Sequence, residues 1–198
     1  MYFDISSIPQ YFPYFLPAAW MTLKISVLGI ALGLGLGLGT AFLRISDKIF
    51  FRLPARCYIY LIRGTPLLLQ LLFIYFGLRS LAGFDALTSA VLALGIHNGA
   101  YIAEIFRGAI VSIAPGQMEA ARSLGMTYSR AMIRIILPQA LKRAIPALGN
   151  QFIIALKDSS LASTITINEL LLKSQQLASS NFMMMEMLFI AALFYLFY

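Results

Sequence analysis

Long runs of hydrophobic residues, broken by short polar or basic stretches, make up most of this 198-residue chain. A helix needs roughly 20 mostly apolar residues to cross a bilayer, so these runs indicate membrane-spanning helices. The last run is shorter than a crossing requires. The pattern therefore predicts an all-α membrane protein with one domain of five spanning helices, the last of them truncated. The predicted spans cover residues 18–43, 66–81, 87–113, 146–164 and 183–198.

Prolines occur repeatedly near the start of the chain, and another lies at the start of the second predicted span. Pro9, Pro13 and Pro17 interrupt an aromatic lead-in, and since proline has no backbone N–H, we expect no regular helix over residues 1–17. Aromatic rings favour the membrane–water interface, where this lead-in is predicted to lie. Thr65 is predicted to cap a helix whose first residue is Pro66.

The least hydrophobic long segment covers residues 115–138. Pro115 suits the first turn of a short helix, and Gly125 stands where a left-handed cap would end it. That helix would be about 12 Å long, far too short to cross a bilayer. Thr127 is predicted to cap a second helix that ends at Pro138, and a new helix is expected to begin at Pro146.

Glycine recurs in the first predicted span, in the run GIALGLGLGLGT. On a helix, Gly29, Gly33 and Gly37 stack on one face, and Gly35 and Gly39 stack on another. Smooth faces of this kind allow close helix packing within a membrane. A phosphate-binding loop is not indicated, because no Lys-Ser or Lys-Thr pair follows the glycines.

The composition and charge agree with a membrane protein. The chain is 60% hydrophobic and 12% charged, with a mean hydropathy of +0.82 and a net charge of +7. Ten of its 15 basic residues fall in two clusters separated by two predicted crossings, which indicates membrane topology and not a nucleic-acid groove. Both loops are predicted to be cytoplasmic, with the N-terminus outside. The clusters are Arg44, Lys48, Arg52 and Arg56, then Arg107, Arg122, Arg130, Arg134, Lys142 and Arg143. The predicted outer side carries little basic charge beyond Lys24, Arg79 and Lys173.

One motif carries a family resemblance. The spacing E-A-A-x3-G-x9-I-x-L-P is matched in full and resembles the signature loop of membrane-spanning permease subunits of binding-protein-dependent ABC importers. The tetrapeptide RGTP and the stretches LGNQF and KDSSLAST are similar to permeases for polar amino acids. The matched residues are Glu119, Ala120, Ala121, Gly125, Ile135, Leu137 and Pro138.

The resemblance implies the five-helix fold of type I ABC-importer permeases and a cytoplasmic coupling helix. Glu119, Ala120, Ala121 and Gly125 would dock into an ATP-binding cassette subunit, which would hold ATP and Mg and perform the hydrolysis. This chain would bind no cofactor and catalyse no reaction. The implied partners are a second permease chain, the same or homologous, an extracytoplasmic substrate-binding protein and membrane lipid. The implied location is the bacterial cytoplasmic (inner) membrane.

Polar residues within the third predicted span indicate a pathway. His97, Tyr101 and Glu104 share one helix face with Asn98 on its flank, and such groups at membrane depth usually face a bundle interior or an aqueous cavity. Glu104 and Arg107 are three residues apart, so a structural ion pair remains an alternative interpretation. For His97 a packed, hydrogen-bonded role remains the alternative to a functional one.

The fourth predicted span is also polar. Gln151 and Asp158 share one face, and a run of hydroxyl residues competes for backbone hydrogen bonds, which would open the helix. An opened helix can offer backbone groups to a zwitterion, although Ser and Thr also join neighbouring helices. Beyond it, residues 165–182 are predicted to form a polar outer segment with a short helix. The predicted pathway residues are Asn98, Tyr101, Gln151, Asp158, Ser159 and Ser160.

The position of Gln151 bears on substrate choice. Relatives that carry cationic amino acids place a carboxylate there, as the resemblance implies, whereas this chain has a neutral amide. A cationic side chain would lack a charge-assisted bond. We therefore predict import of a neutral polar amino acid, glutamine or cystine, in preference to a cationic one.

Two other classes of function are considered. An ion-coupled secondary transporter would use Glu104 or Asp158 as proton or sodium sites, but would have no need of the signature loop. A membrane enzyme is disfavoured, because the sequence shows no metal-ligand spacing, nucleophile elbow or acid pair. The relatives usually finish the last helix and end in a basic tail, which this sequence lacks.

Overall fold

The computed structural model describes residues 5–78 and 83–198, which are helical apart from short connections and include no strand. The all-α prediction is confirmed. The α-helices are α1 (Ile8–Ile45), α2 (Ile49–Arg63), α3 (Leu67–Leu72), α4 (Ala86–Val111), α5 (Pro115–Ser123), α6 (Tyr128–Ala131), α7 (Leu137–Asp158), α8 (Leu170–Asn181) and α9 (Met184–Phe197). A 3₁₀ turn covers Ile5–Ser7, π turns cover Phe73–Gly77 and Met132–Ile136, and a 3₁₀ helix covers Ser159–Ile165.

Helix α1 begins ten residues before the predicted span at residue 18. The expectation that the prolines prevent a helix is wrong, since Pro9 lies in the first turn and Pro13 and Pro17 lie inside the helix. Its N-terminal part packs on α9, with Phe15 in a buried cluster that includes Phe194. We infer that this packing offsets the hydrogen bonds that the two inner prolines cannot make.

Helices α1 and α4 lie side by side and run in the same direction. Glycines of α1 face successively later residues of α4: an added Cβ at Gly33 would lie 3.2 Å from Asn98 Cβ, and one at Gly37 would lie 2.6 Å from Ile102 Cγ2. The close-packing face predicted for Gly29, Gly33 and Gly37 is therefore present. Nothing lies within 4 Å of such an atom at Gly35 or Gly39, whose face is open.

If both of these parallel helices cross a membrane, the chain must return across it between them. Only α2, α3 and the following π turn are described between them, and α2 meets the Leu67–Gly77 helix at a bend of 104°. The described part of the predicted span of residues 66–81 is thus one arm of a bent pair whose other arm is α2. Its last residues, 79–81, and the predicted outer charge Arg79 lie outside the described residues.

The break between α2 and α3 differs from the predicted cap. Helix α3 begins at Leu67 with Pro66 as its N-cap. The Thr65 hydroxyl donates a hydrogen bond backwards to the Leu61 carbonyl at 2.9 Å, so the predicted capping role of Thr65 is wrong. The hydroxyl instead satisfies a carbonyl in the last turn of α2, where helices leave such groups unpaired.

In the segment after α4, the predicted helix start and caps are confirmed, but the predicted helix boundaries further along are wrong. Helix α5 begins at Pro115, Gly125 adopts a left-handed φ of 81°, and the Thr127 side chain accepts the Arg130 N–H at 3.3 Å. The predicted stop at Pro138 and new start at Pro146 are both wrong, because helical structure continues from residue 128 to 158. The π turn before Pro138 changes the hydrogen-bond register, which accommodates a residue with no N–H.

By length and composition, α1 and α4 are each able to cross a membrane, and the bent pair of α2 and Leu67–Gly77 would be a third crossing among the described residues. Helix α9 is apolar but has 14 residues. The predicted fourth span corresponds to the second half of α7 and the 3₁₀ helix after it. Five crossings therefore remain a prediction, and residues 165–182, which are predicted to form an outer segment, contain α8.

Candidate functional site

A buried pair of amides joins the two polar helices. Asn98 of α4 is fully buried and Gln151 of α7 is 6% exposed. Gln151 Nε2 donates to Asn98 Oδ1 at 2.7 Å, and Asn98 Nδ2 donates to the Leu94 carbonyl at 2.8 Å. The structure thus brings together two predicted pathway residues that are 53 positions apart. Both are already hydrogen-bonded to the protein.

Tyr101 lies one turn after Asn98 and lines an open cavity of about 700 Å³. The His97 ring centre is 5.1 Å from the Tyr101 ring centre. His97 Nδ1 lies 3.1 Å from Gln70 Oε1, and the Gln70 amide donates to the carbonyls of Ile62 and Thr65. His97 is therefore packed and hydrogen-bonded across the break between α2 and α3, which favours its structural interpretation.

Glu104 forms an ion cluster with arginines from two helices. Its carboxylate lies 2.8 Å from Arg107 Nη2, on the same helix, and 3.8 Å from Arg44 Nε at the end of α1. The ion pair predicted for Glu104 and Arg107 is present, and Arg44 extends it between helices. A carboxylate engaged by two guanidinium groups is a poor candidate for reversible protonation near neutral pH.

The three predicted pathway residues at the end of α7 are arranged differently from the expectation. The segment tightens into a 3₁₀ helix and does not open, because Ser159 and Ser160 each donate to a carbonyl three residues earlier at 2.7 Å. Ser159 is buried, and Asp158 and Ser160 are partly buried. No described hydrogen bond or ion pair links any of them to Asn98, Tyr101 or Gln151.

The signature loop presents a mixed surface. Glu119, Ala120 and Gly125 are exposed, whereas Ala121 is only 5% exposed and faces the protein itself. Leu124 was not singled out by the sequence, yet 84% of it is exposed. An apolar residue directly before the capping glycine of a polar segment was the signal that could have identified it.

Known proteins resemble this chain in sequence and in structure. Residues 29–198 match the family described as binding-protein-dependent transport system inner membrane component. The chain is 43% identical over 199 residues to the glutamine transport system permease protein GlnP of Escherichia coli K12, covering 99% of this chain and 91% of that protein. It is 39% identical to the probable amino-acid ABC transporter permease protein PatM of Vibrio harveyi, with 98% and 89% covered.

Solved structures share the fold. A crystal structure of an amino acid ABC transporter with histidines superposes with a TM-score of 0.91 at 43% identity, covering 99% of this chain and 92% of that one. An inward-facing MetNI methionine ABC transporter gives a TM-score of 0.76 at 20% identity, which bears on the fold alone. The predicted type I importer permease fold is confirmed, and the chain belongs to the family of inner membrane components of binding-protein-dependent transport systems.

Proposed function

We propose that this chain is the permease subunit of an ATP-driven importer and forms the translocation pathway for a polar amino acid. The observation that carries the coupling part is α5, a nine-residue helix that ends beside the exposed Leu124. An apolar side chain on a short surface helix suits burial in a partner's cleft. The relatives GlnP and PatM, by name a glutamine permease and a probable amino-acid permease, support the substrate class.

The proposal assigns the chemistry of ATP to another subunit. Two permease chains, identical or homologous, would sit on two ATP-binding cassette subunits that hold ATP and Mg, and this chain would carry no cofactor and perform no catalysis. Closure of the ATPase pair would move α5 and turn the cavity outward. An external binding protein would then deliver the amino acid to a permease held in the bacterial inner membrane with its N-terminus outside.

The pathway is proposed to run past Asn98, Tyr101 and Gln151, with Asp158, Ser159 and Ser160 further along. The buried amide pair supports this placement, because two polar groups facing each other inside a membrane bundle mark its polar interior. Tyr101 reaches the cavity directly, while Asn98 and Gln151 stand behind it. Asp158 makes no ion pair among the described residues, which leaves its carboxylate available to a substrate ammonium group.

Glutamine, or cystine, is proposed in preference to arginine or lysine, since Gln151 brings no charge to the pathway. The variant Gln151→Glu should shift competition for uptake towards cationic amino acids. Unchanged competition by arginine would contradict the role of Gln151 while leaving the importer proposal intact.

The test of the proposed function uses the permease chain with its ATP-binding subunit and binding protein in proteoliposomes. We expect ATPase activity that L-glutamine stimulates. We also expect uptake that requires ATP on the side of the vesicle membrane where the ATP-binding subunit lies. Leu124→Asp should abolish the stimulation by removing the apolar contact, whereas Leu124→Met should retain it. Ala120→Asp should also uncouple transport.

An ion-coupled carrier that uses Glu104 or Asp158 gives the opposite outcome. Uptake would follow an imposed proton or sodium gradient without ATP, and Leu124→Asp would transport normally. That result would overturn the importer proposal. The two arginines that engage Glu104 argue against it.

A further inference from the structure

The cavity beside Tyr101 has an unbalanced charge. It lies among the end of α1, α2, the break before α3 and α4, and its charged lining consists of Arg44, Arg56, Arg63 and Glu104. Arg44 and Arg107 both engage the one carboxylate. Neither Arg56 nor Arg63 has a carboxylate within 4.0 Å among the described residues. The cavity therefore carries two arginines whose charge this chain does not neutralise at close range.

Arg63 is the more specifically placed of the two. It ends α2 at the 104° bend, and its guanidinium carbon lies 5.0 Å from the centre of the Tyr101 ring. A guanidinium group that lies over an aromatic ring can still present the edge that carries its N–H donors to a further ligand. This edge matches the two oxygens of a carboxylate in bidentate geometry.

The Tyr101 ring on which this guanidinium group stacks is held by contacts with residues at the break between α2 and α3. The Tyr101 ring contacts His97, which lies within 3.1 Å of Gln70 Oε1, and Gln70 Nε2 lies 2.8 Å from the Ile62 carbonyl next to Arg63. One continuous set of contacts thus leads from the ring to the residue preceding the arginine. A site whose parts are held in this way loses less entropy when a ligand binds.

The position of Arg63 beside Tyr101 argues against a lipid-facing role. If α4 crosses the membrane, the Tyr101 ring lies about 22 Å along this helix of about 39 Å, because Tyr101 is 15 residues after its start. Arg63 is nevertheless exposed on the surface of this chain. An exposed arginine near mid-membrane faces water, a ligand or a partner subunit, because lipid would not solvate its charge. The cavity is open, which fits a ligand that enters from water.

We propose that Arg63, stacked on Tyr101, binds the α-carboxylate of the transported amino acid, with Arg56 adding positive potential to the same cavity. The inference rests on the proposed function and adds a group that recognises the part common to all amino acids. It leaves selection among side chains to the region of Gln151. A carboxylate donated by a second permease chain and a general anion site are the competing occupants.

The test measures equilibrium binding of radiolabelled L-glutamine to the detergent-solubilised complex of permease and ATP-binding subunits, without binding protein. Competitors are unlabelled glutamine, its α-carboxamide and sodium phosphate, and an equimolar panel of amino acids replaces glutamine if the unmodified complex does not bind it. We expect Arg63→Gln to weaken Kd at least about tenfold, as loss of a charge-assisted contact does. Arg63→Lys should bind with intermediate affinity, and the matched control Lys142→Gln, on exposed α7 surface, should bind normally.

The carboxamide separates this proposal from a structural effect. The unmodified complex should prefer the free α-carboxylate over the carboxamide, and Arg63→Gln should lose that preference while eluting as an intact complex. Unchanged affinity in Arg63→Gln, a preference that survives it, equal competition by phosphate, or separation of the permease pair in Arg63→Gln would each overturn the carboxylate site. Failure of the unmodified complex to bind any amino acid would overturn the proposed function as well, so the two failures are distinguishable.

Discussion

The buried hydrogen bond between Asn98 and Gln151 joins α4 to α7, and its loss should destabilise the chain. Gln151→Leu removes the donor and leaves Asn98 Oδ1 without a partner in a fully buried position. An orphaned buried polar atom costs about 1–3 kcal/mol, so we expect that loss in the free energy of unfolding. Thermal unfolding of the purified chain in detergent measures it.

A double-variant cycle provides the control for this pair. Asn98→Leu with Gln151→Leu removes both partners, and apolar replacement of both groups is often nearly neutral. The double variant should therefore be more stable than Gln151→Leu alone. Strictly additive losses would show that the 2.7 Å contact between the amides contributes nothing specific to the fold.

Glu169, at the start of α8, should make the stability of the fold depend on pH. Its carboxylate accepts N–H bonds from Leu171 and Leu172 and a bond from the Tyr195 hydroxyl, yet burial raises its pKa above the ordinary 4.5. A raised pKa in the folded state favours folding below pH 4.5, and that contribution is lost as pH rises through the folded value. Relative to Glu169→Gln, the unfolding temperature of the unmodified chain should fall over this range.

Asp85 supplies a control of opposite sign. Hydrogen bonds from the Thr88 side chain and backbone N–H lower the pKa of this exposed cap of α4. Its contribution is therefore present above the unfolded pKa and is lost as pH falls through the folded one. The difference between the unmodified chain and Asp85→Asn should shrink towards low pH. A rise in the unfolding temperature of the unmodified chain relative to Glu169→Gln as pH increases would contradict the burial argument.

At the scale of elements, the contact between α1 and α4 depends on which glycine face is used. A Cβ at Gly37 would lie 2.6 Å from Ile102 Cγ2 and 2.9 Å from the Gly99 carbonyl, and the latter is backbone that cannot rotate away. We expect Gly37→Ala to destabilise the chain by about 1–3 kcal/mol, as overpacking does. Gly35→Ala, with open space around it, should instead be neutral or stabilise by about 0.5–1 kcal/mol. Equal unfolding temperatures for the two variants would argue against this helix contact.

The same pair of faces shows what the sequence could and could not predict. Spacing of four identified both glycine faces but could not choose between them, since the choice depends on α4, whose Gly95 and Gly99 receive Leu32 and Leu36. Local chemistry also predicted the Thr127 cap and the left-handed Gly125, because both depend on a few neighbouring residues.

Features that depend on distant residues were not predictable in this way. Pro13 and Pro17 remain in a helix because α9, at the other end of the sequence, packs there. Pro138 is accommodated by a π turn, which no simple periodicity reveals. At the candidate site, residue types at membrane depth indicated Asn98 and Gln151, but not that they bond to each other. Arg63 was passed over because its contact with Tyr101 depends on the bend before α3.

For the whole molecule, the parallel course of α1 and α4 fixes the relative sides of the loops. If both helices cross the membrane, the chain returns between them, so the loops after α1 and after α4 share one side. Both contain the basic clusters, and cytoplasmic loops are the ones enriched in Lys and Arg. We therefore expect Ser123, at the end of α5, to be cytoplasmic and Gln176, on α8, to be extracytoplasmic.

The only cysteine of the chain makes this orientation directly measurable. In a Cys57→Ser background, single cysteines are placed at the exposed positions Ser123 and Gln176 and treated with a membrane-impermeant maleimide in intact cells. Gln176→Cys should be labelled at once, and Ser123→Cys only after the membrane is permeabilised. Labelling of Ser123→Cys in intact cells would place α5 outside, where no ATP-binding subunit reaches it. The coupling role of Leu124 and the delivery of substrate from outside would then both be untenable, because each requires this one orientation of the chain.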